Sequence, residues 1–497
     1  MKLLKFRGAP QQLYLSTRSQ HEWIQPVGFD TGIKVYNCVA RGNVPFIVRN
    51  KNFVTWYTCG PTVYNSAHIG HASCFVKLDI IKRILQREFS LNLITAMNIT
   101  DIDDKIINRS IATKTPISDL VKFYEDEFWE DMRKLNVLRP QLVMRVSENI
   151  SLIEKFIMRL LNSGDVYKGS DESLLFQIKN YGRLQNVNSE QLANFTVWKA
   201  AKKEPFWTTQ CGSGRPGWHT ECSAIASSIF GSEIDIHAGG IDLKFPHHEN
   251  EEAQCCAYFS KQQWVNYWLH TGHLMQNSVK MSKSLQNTMT ISEMLQICSG
   301  DVFRMMCLMS HYRKHMEFSE EYMRAAKAHL ETYKNFLINC NVIISNPEKP
   351  HVEAALILQC VQESVEKMCS ALKDDFDTAE CIKIINNLIV NINKMLHNTS
   401  QMGNLQEITP LVSACNFVTN TLEMFGFNLS TTQDVNQKSN DVELLNMLTE
   451  FRHNVRLTGL EIKNSNLISL CDGLRNDLHK IGVSVKDQKH ASIWTKI

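Results

Sequence analysis

The sequence predicts an α/β protein with a parallel sheet, followed by an all-α region and a small terminal unit. Three observations predict it. An aromatic and β-branched run, Phe53–Thr58, is followed by a helical pattern and then by a second apolar run, Leu93–Ile99. Strand–helix–strand order of this kind builds parallel sheets. After about Phe318 the apolar residues recur at helical spacing. A polar, breaker-rich stretch, LSTTQDVNQKSND at 429–441, then reads as a linker. The 497 residues are 43% hydrophobic and 21% charged, which is globular composition and excludes collagen-like or wholly disordered chains. At about 100–200 residues per domain, that length suggests about three domains.

The elements follow in chain order. Residues 1–21 carry Lys2, Lys5, Arg7 and Arg18 and no acid before Glu22. A basic, acid-free, Ser/Thr-bearing start describes a mitochondrial transit segment, assigned to 1–32; an ordinary basic tail is the alternative. Phe53–Thr58 reads as a buried strand, broken by Cys59-Gly60-Pro61-Thr62. His71–Gln86 reads as a helix because Phe75, Leu78, Ile81, Ile84 and Leu85 share one face. Leu93–Ile99 is the second strand. Val166–Arg215 differs in character, with a short strand at Leu174–Ile178, polar turns and Lys/Trp clusters, so about 160–215 reads as an insertion in a domain spanning 33–317. Ile234-Asp235-Ile236-His237 is a further strand. In 318–428, Tyr322, Ala326, Leu330, Tyr333 and Leu337 form one apolar stripe, with others at Leu388–Leu396 and Ser413–Phe425. The unit 442–497 closes the chain.

Charge and cysteine content narrow the class. The formal net charge is +2, so a broad basic coat is excluded while a local basic groove is not. The 15 cysteines are scattered from Cys38 to Cys471, which suits a reducing compartment better than a disulfide scaffold. No run of about 18 uncharged apolar residues occurs, so no membrane partner is expected.

Three constellations carry chemistry. His68-Ile69-Gly70-His71 opens a helix after a strand and a turn. Free N–H groups and the dipole make a helix start an anion site. Gly70 lets a nucleotide lie against the backbone, and both imidazoles can donate to phosphate oxygens. Alone, such a tetrapeptide also describes an incidental cap. Lys280-Met281-Ser282-Lys283-Ser284 lies in a polar stretch, where lysines suit the charge of a transferring polyphosphate; a solvated loop is the alternative. Finally, Cys59 and Cys222, with His247 and Glu251 four residues apart on one helix face, make a donor set suited to Zn²⁺, and Pro246 fits the first helical turn. Four residues from three segments are not a spacing motif, and lone cysteines are usually core.

The HIGH and KMSKS segments together resemble the paired signatures of class I aminoacyl-tRNA synthetases. YTCGPTVY (57–64), GRPGWHTECS (214–223) and FPHHENE (245–251) resemble the signature segments of cysteinyl-tRNA synthetases, as do NITDIDDK (98–105) and DDFDT (374–378). The match runs from about residue 33 to the C-terminus. It implies a Rossmann-like catalytic domain that closes around ATP, brought with Mg²⁺, and forms a cysteinyl-adenylate. It implies one Zn²⁺ held by Cys59, Cys222, His247 and Glu251, with His248 and Glu249 as supports. Gly60, Thr62, Thr100, Trp218 and His237, together with His247, are implied for the cysteine pocket. His68, Gly70, His71, Lys280 and Lys283 are implied for catalysis, with His68, His71 and Lys283 on ATP. Zinc would select thiol over hydroxyl, which a filled pocket alone separates poorly. The insertion of about 50 residues is too short for an editing domain. One departure is Asn108, where the family often has a second lysine after Lys105.

The resemblance further implies tRNA(Cys), L-cysteine and ATP as partners; a monomer is expected, and the basic, acid-free start points to the mitochondrial matrix, with the cytoplasm as alternative. From Arg452 to the end there are eight Lys/Arg and four acids, a local excess of four that fits phosphate contact or a solvated helical face. Trp494 either stacks a base or packs. Two rival readings are a relative joining activated cysteine to an amino sugar, and a zinc-containing tRNA-binding protein without catalysis.

Overall fold

The computed structural model describes residues 22–178, 184, 194–276, 279–280, 289–345, 354–397, 407–428, 439–488 and 491–496. The chain packs as two compact units that divide between Phe427 and Asn428. The segment 1–21 and most of the linker stretch 429–441 lie outside the described residues.

The first unit is built on a five-stranded sheet. Its order is Val265–Thr271, Ile234–Gly240, Val54–Thr58, Leu93–Ile99, Leu142–Arg145. Every neighbouring pair is parallel. Val54–Thr58, at the centre, is buried at all five positions, which is why it reads as a continuous apolar run without alternation. The intervening helix runs Ile69–Arg87, two residues earlier than the apolar stripe shows, because His68 caps it. The strand Ile234–Gly240 runs three residues beyond His237. The order reverses at the central strand: the chain moves outward through Leu93–Ile99 and Leu142–Arg145, then returns on its other side through Ile234–Gly240. Open α/β sheets hold ligands outside the carboxyl ends of the strands at such a switch point.

Between Leu142–Arg145 and Ile234–Gly240 the chain forms a second, antiparallel sheet, ordered Val166–Lys168, Leu174–Phe176, Phe195–Ala200, Gly212–Pro216, Trp207–Thr209. Its last strand in sequence leads directly into the helix Trp218–Phe230.

Helices Glu320–Ser345, Ala354–Lys373, Thr378–His397 and Thr409–Met424 follow. In Glu320–Ser345 the buried face is Met323, Ala326, Tyr333, Phe336 and Cys340. It shares Ala326 and Tyr333 with the predicted stripe, while Tyr322, Leu330 and Leu337 are half-buried. Neighbouring helices rotate the buried arc, which periodicity along one helix cannot register. The helical region is tied to the helix Ile69–Arg87 by Arg304, which is wholly buried. It donates to Asp79 at 2.8 Å, to the Phe425 carbonyl at 3.0 Å and to the Leu135 and Asn136 carbonyls, both at 2.7 Å.

The second unit contains helices Ser439–Glu461 and Ser465–Lys480 and the hairpin Val483–Asp487/Ser492–Lys496. Helix therefore begins at Ser439, inside the stretch read as linker. Arg452 is buried and binds Asp487 through both guanidinium nitrogens. Arg456 and Arg475 each reach Asp472 at 3.2 Å. Lys480 reaches Asp477 at 2.8 Å, so four of the eight cations counted in the sequence bind this unit's own aspartates. Trp494 packs on Leu478, Val483 and Val485, and its indole N–H donates to Asn446 at 2.8 Å. Among the described residues no helix is long and apolar enough to cross a membrane.

Candidate functional site

The carboxyl ends of the three inner strands converge. Cys59 and Gly60 follow the central strand, Thr100 ends the next, and Gly239 and Gly240 close Ile234–Gly240. They wall a cavity of about 340 Å³ that His68, Gly70, His71, Lys105, Trp218, Cys222 and His247 also line. Gly60 is required by close approach: a Cβ there would lie 1.6 Å from the Asn98 carbonyl oxygen.

At one end the four predicted metal ligands meet, all buried. Cys59 Sγ lies 3.5 Å from Cys222 Sγ, 3.4 Å from His247 Nε2 and 3.3 Å from Glu251 Oε1. His247 Nε2 and Glu251 Oε1 are 3.0 Å apart. Zinc bonds of about 2.3 Å to sulfur and about 2.0–2.2 Å to nitrogen or oxygen, at tetrahedral angles, put ligand atoms roughly 3.3–3.8 Å apart. The three separations from Cys59 lie in that range and the His247–Glu251 separation falls about 0.3 Å short of it, so the donors fit zinc in kind and nearly in spacing. Phe245 is extended and breaks the chain, and helical backbone then runs from Pro246 through His248 into Glu249–Phe259, so Pro246 stands in the first helical turn as expected.

Cys59 and Glu251 also approach His237 and His248 in a second group of four. Only the first group has members lining the cavity beyond Cys59, namely Cys222 and His247. The resemblance implies that His237 walls the cysteine pocket. It is wholly buried and is not among the cavity's lining residues; its Nε2 lies 3.0 Å from Glu251 Oε2, and its ring packs on Trp268 at 4.5 Å. Its Nε2 also lies 4.0 Å from Cys59 Sγ.

The site's electrostatics show why it suits a cation. Burial pushes the Cys59 thiol well up, and the neighbouring Cys222 and Glu251 push it further. Burial alone would pull His247 down, but the Glu251 carboxylate and Cys222 raise it to about 10. Burial would raise Glu251, yet His237 and His247 hold it well below the usual carboxylate range. With both sulfurs deprotonated, the two thiolates and the Glu251 carboxylate would be balanced only by imidazolium character. A divalent cation supplies that charge directly.

The remaining pocket residues meet in pairs. Thr100 donates through Oγ1 to Glu221 Oε2 at 2.9 Å and pairs by its backbone with Thr62. Trp218 is 41% exposed and lies over His247 at 4.4 Å. Sequence reasoning passed over Asn98, Glu221 and His219 as individual residues. Asn98 Oδ1 accepts from the Gly60 N–H at 2.9 Å, and its Nδ2 donates to Thr100 Oγ1 at 3.2 Å. His219 Nδ1 lies 2.8 Å from His247 Nδ1, as a partner of a metal-binding imidazole would. All three stand inside the quoted segments; a buried polar residue at a strand end was the available signal for Asn98.

At the other end His68 caps the helix Ile69–Arg87. Its Nδ1 accepts from the Gly70 N–H at 3.1 Å, and His71 Nδ1 accepts from the His68 N–H at 3.2 Å. The rings stack at 3.8 Å. Using both Nδ1 atoms as acceptors puts the proton of each neutral ring on Nε2. Lys280 lies in the two-residue strand Val279–Lys280, paired with Leu274–Gln276. Lys283 lies outside the described residues.

Residues 45–328 match the family model for the class I (C) tRNA synthetase catalytic domain. A methionyl-tRNA synthetase of Mycobacterium tuberculosis shares the fold, with TM-score 0.57 and 13% identity over 75% of this chain and 89% of that one. The chain belongs to the class I tRNA synthetases. Within them it is 38% identical to the Xenopus tropicalis protein named "Probable cysteine--tRNA ligase, mitochondrial", over 95% of this chain and 91% of that one. It is 33% identical to a cytoplasmic cysteine–tRNA ligase of Dictyostelium discoideum, over 96% and 79%. It is 35% identical to a cysteine–tRNA ligase of Thermococcus gammatolerans, over 94% and 99%. The chain is a member of the cysteine–tRNA ligase family.

Proposed function

We propose that the protein activates L-cysteine with ATP as cysteinyl-adenylate and transfers it to tRNA(Cys), with a zinc site selecting the thiol. The observation that carries this is the buried Cys59–Cys222–His247–Glu251 set, opening into the same cavity as the His68/His71 helix start. Zinc, when bound, favours thiolate sulfur over a neutral hydroxyl, the distinction that cysteine against serine demands.

The chain's own residues do the rest. Gly60 and Thr100 shape the amino-acid end, with Thr62 and Trp218 beside them and Asn98 and Glu221 holding Thr100. The cysteine carboxylate oxygen attacks the α-phosphorus of Mg·ATP, and pyrophosphate leaves. A terminal ribose hydroxyl of tRNA then attacks the carbonyl carbon and AMP leaves. His68 and His71 donate through Nε2 to the phosphate, Gly70 keeps that approach open, and Lys280 and Lys283 neutralise the leaving pyrophosphate. The helices after Phe318 and the unit after Val442 would carry the tRNA contacts. A monomer in the mitochondrial matrix is the setting proposed.

Cysteine-dependent ATP–pyrophosphate exchange followed by charging of tRNA transcripts tests the reading. Exchange with charging is expected. Exchange without charging would favour the amino-sugar ligase, and absence of exchange the non-catalytic protein.

A further inference from the structure

Among the described residues lining the cavity, Lys105 carries the one permanent positive charge; the other basic groups are histidines. Its Nζ lies 5.8 Å from the ring centres of both Tyr64 and Trp218. Trp218 in turn lies against His247 of the metal set. Lys105 therefore stands one aromatic layer from the end where the substrate sulfur would bind. Its acidic neighbours are engaged elsewhere. Asp103 Oδ1 accepts from the Lys105 backbone N–H at 2.7 Å as the helix cap. Asp104 is held by Lys199 and by Arg215, the latter at 2.9 Å, both on the inserted sheet.

Cysteine anchored by its thiol must still bring an anionic carboxylate against the triphosphate of ATP. Two like charges in a cavity repel, and a cation at their meeting point offsets this. A cation–π contact at a solvent-facing site is weaker than a charge-assisted hydrogen bond, so an ammonium on a flexible stem exchanges rings for carboxylate readily. We propose that the Lys105 ammonium binds the α-carboxylate of cysteine, leaving the faces of Tyr64 and Trp218 to do so. The inserted sheet contributes by drawing Asp104 away, leaving the Lys105 charge for substrate. This rests on the cysteine-activating reading above.

The test compares cysteine with cysteamine, which lacks the carboxylate, in Lys105→Met and Lys105→Arg. In pyrophosphate exchange Lys105→Met should raise the KM for cysteine about 10- to 100-fold, the loss of one charge-assisted contact. Lys105→Arg should recover part of that loss. Inhibition by cysteamine should be the same in all three proteins. Cysteamine weakened in parallel would mean that Lys105 acts on pocket shape, and an unmoved cysteine KM would mean no contact; either overturns the assignment. A wild-type protein that does not use cysteine at all would overturn the ligase reading and this proposal with it.

Discussion

Replacing Cys222 by serine tests the zinc reading most sharply. Cys222 is 2% exposed and its Sγ is 3.5 Å from Cys59 Sγ. Serine nearly preserves the volume but exchanges a thiolate donor for a hydroxyl that stays protonated. Structural zinc sites have apparent binding free energies of about 10–16 kcal/mol. Shared over four ligands, one donor is worth about 3 kcal/mol, or roughly a hundredfold in affinity. The remaining three donors still surround the cavity, so zinc should bind, but weakly. The assay is zinc retained per chain against a graded chelator, read beside cysteine/serine selectivity in pyrophosphate exchange. Both should fall together. Zinc held at wild-type affinity with unchanged selectivity would show that Cys222 is not a ligand.

Four further outcomes are expected. Arg304→Met should destabilise the first unit by about 2–4 kcal/mol, because the buried Asp79 carboxylate keeps only one of its two arginines, Arg83, and the Phe425 and Leu135 carbonyls lose their Arg304 donor; denaturant unfolding measures it, and a change under about 1 kcal/mol would contradict the network. Asp79 is also an acid-sensitive point: burial would raise it, but Arg304 and Arg83 hold it below the usual carboxylate range. Its contribution is present above its unfolded value near pH 4 and is lost as pH falls further, so Asp79→Asn should flatten the acid limb of a stability–pH curve. Asp131 behaves oppositely, since burial and then Glu127 raise its carboxyl to about 6. Its penalty grows as pH rises from about 4 to 6, so Asp131→Asn should stabilise by about 1–2 kcal/mol at pH 7.5 and have no effect near pH 3. Lys283→Ala should slow single-turnover adenylate formation with little change in cysteine affinity; an unchanged activation rate would refute its role.

The legible part of the fold was local. Val54–Thr58 and Leu93–Ile99 announce themselves as apolar runs because both faces of an inner parallel strand are buried. The His68–His71 tetrapeptide announces a helix start because capping is settled within one turn. The helical region was legible as helix, but its buried face was displaced, since Glu320–Ser345 packs both on the preceding helix Gly300–Leu308 and on Thr409–Met424, which its own periodicity does not register. His237 lies wholly buried within its strand, 3.0 Å from Glu251 and behind the residues that line the cavity, a depth that its place in the sequence does not show.

The amino-acid order by itself determined the parallel α/β class, the helix that presents His68 and His71, and which donor types the chain could offer a metal. Only the tertiary structure decided that Cys59 and Glu251, 192 residues apart, come within 3.3 Å. It also decided that Arg452, Arg456 and Arg475 bind aspartates of their own unit, and that Lys105 lies over Tyr64 and Trp218. The reason is physical. Strand and helix formation respond to neighbours a few residues away, whereas convergence at the cavity depends on strand order, and the order reverses only once the sheet is assembled.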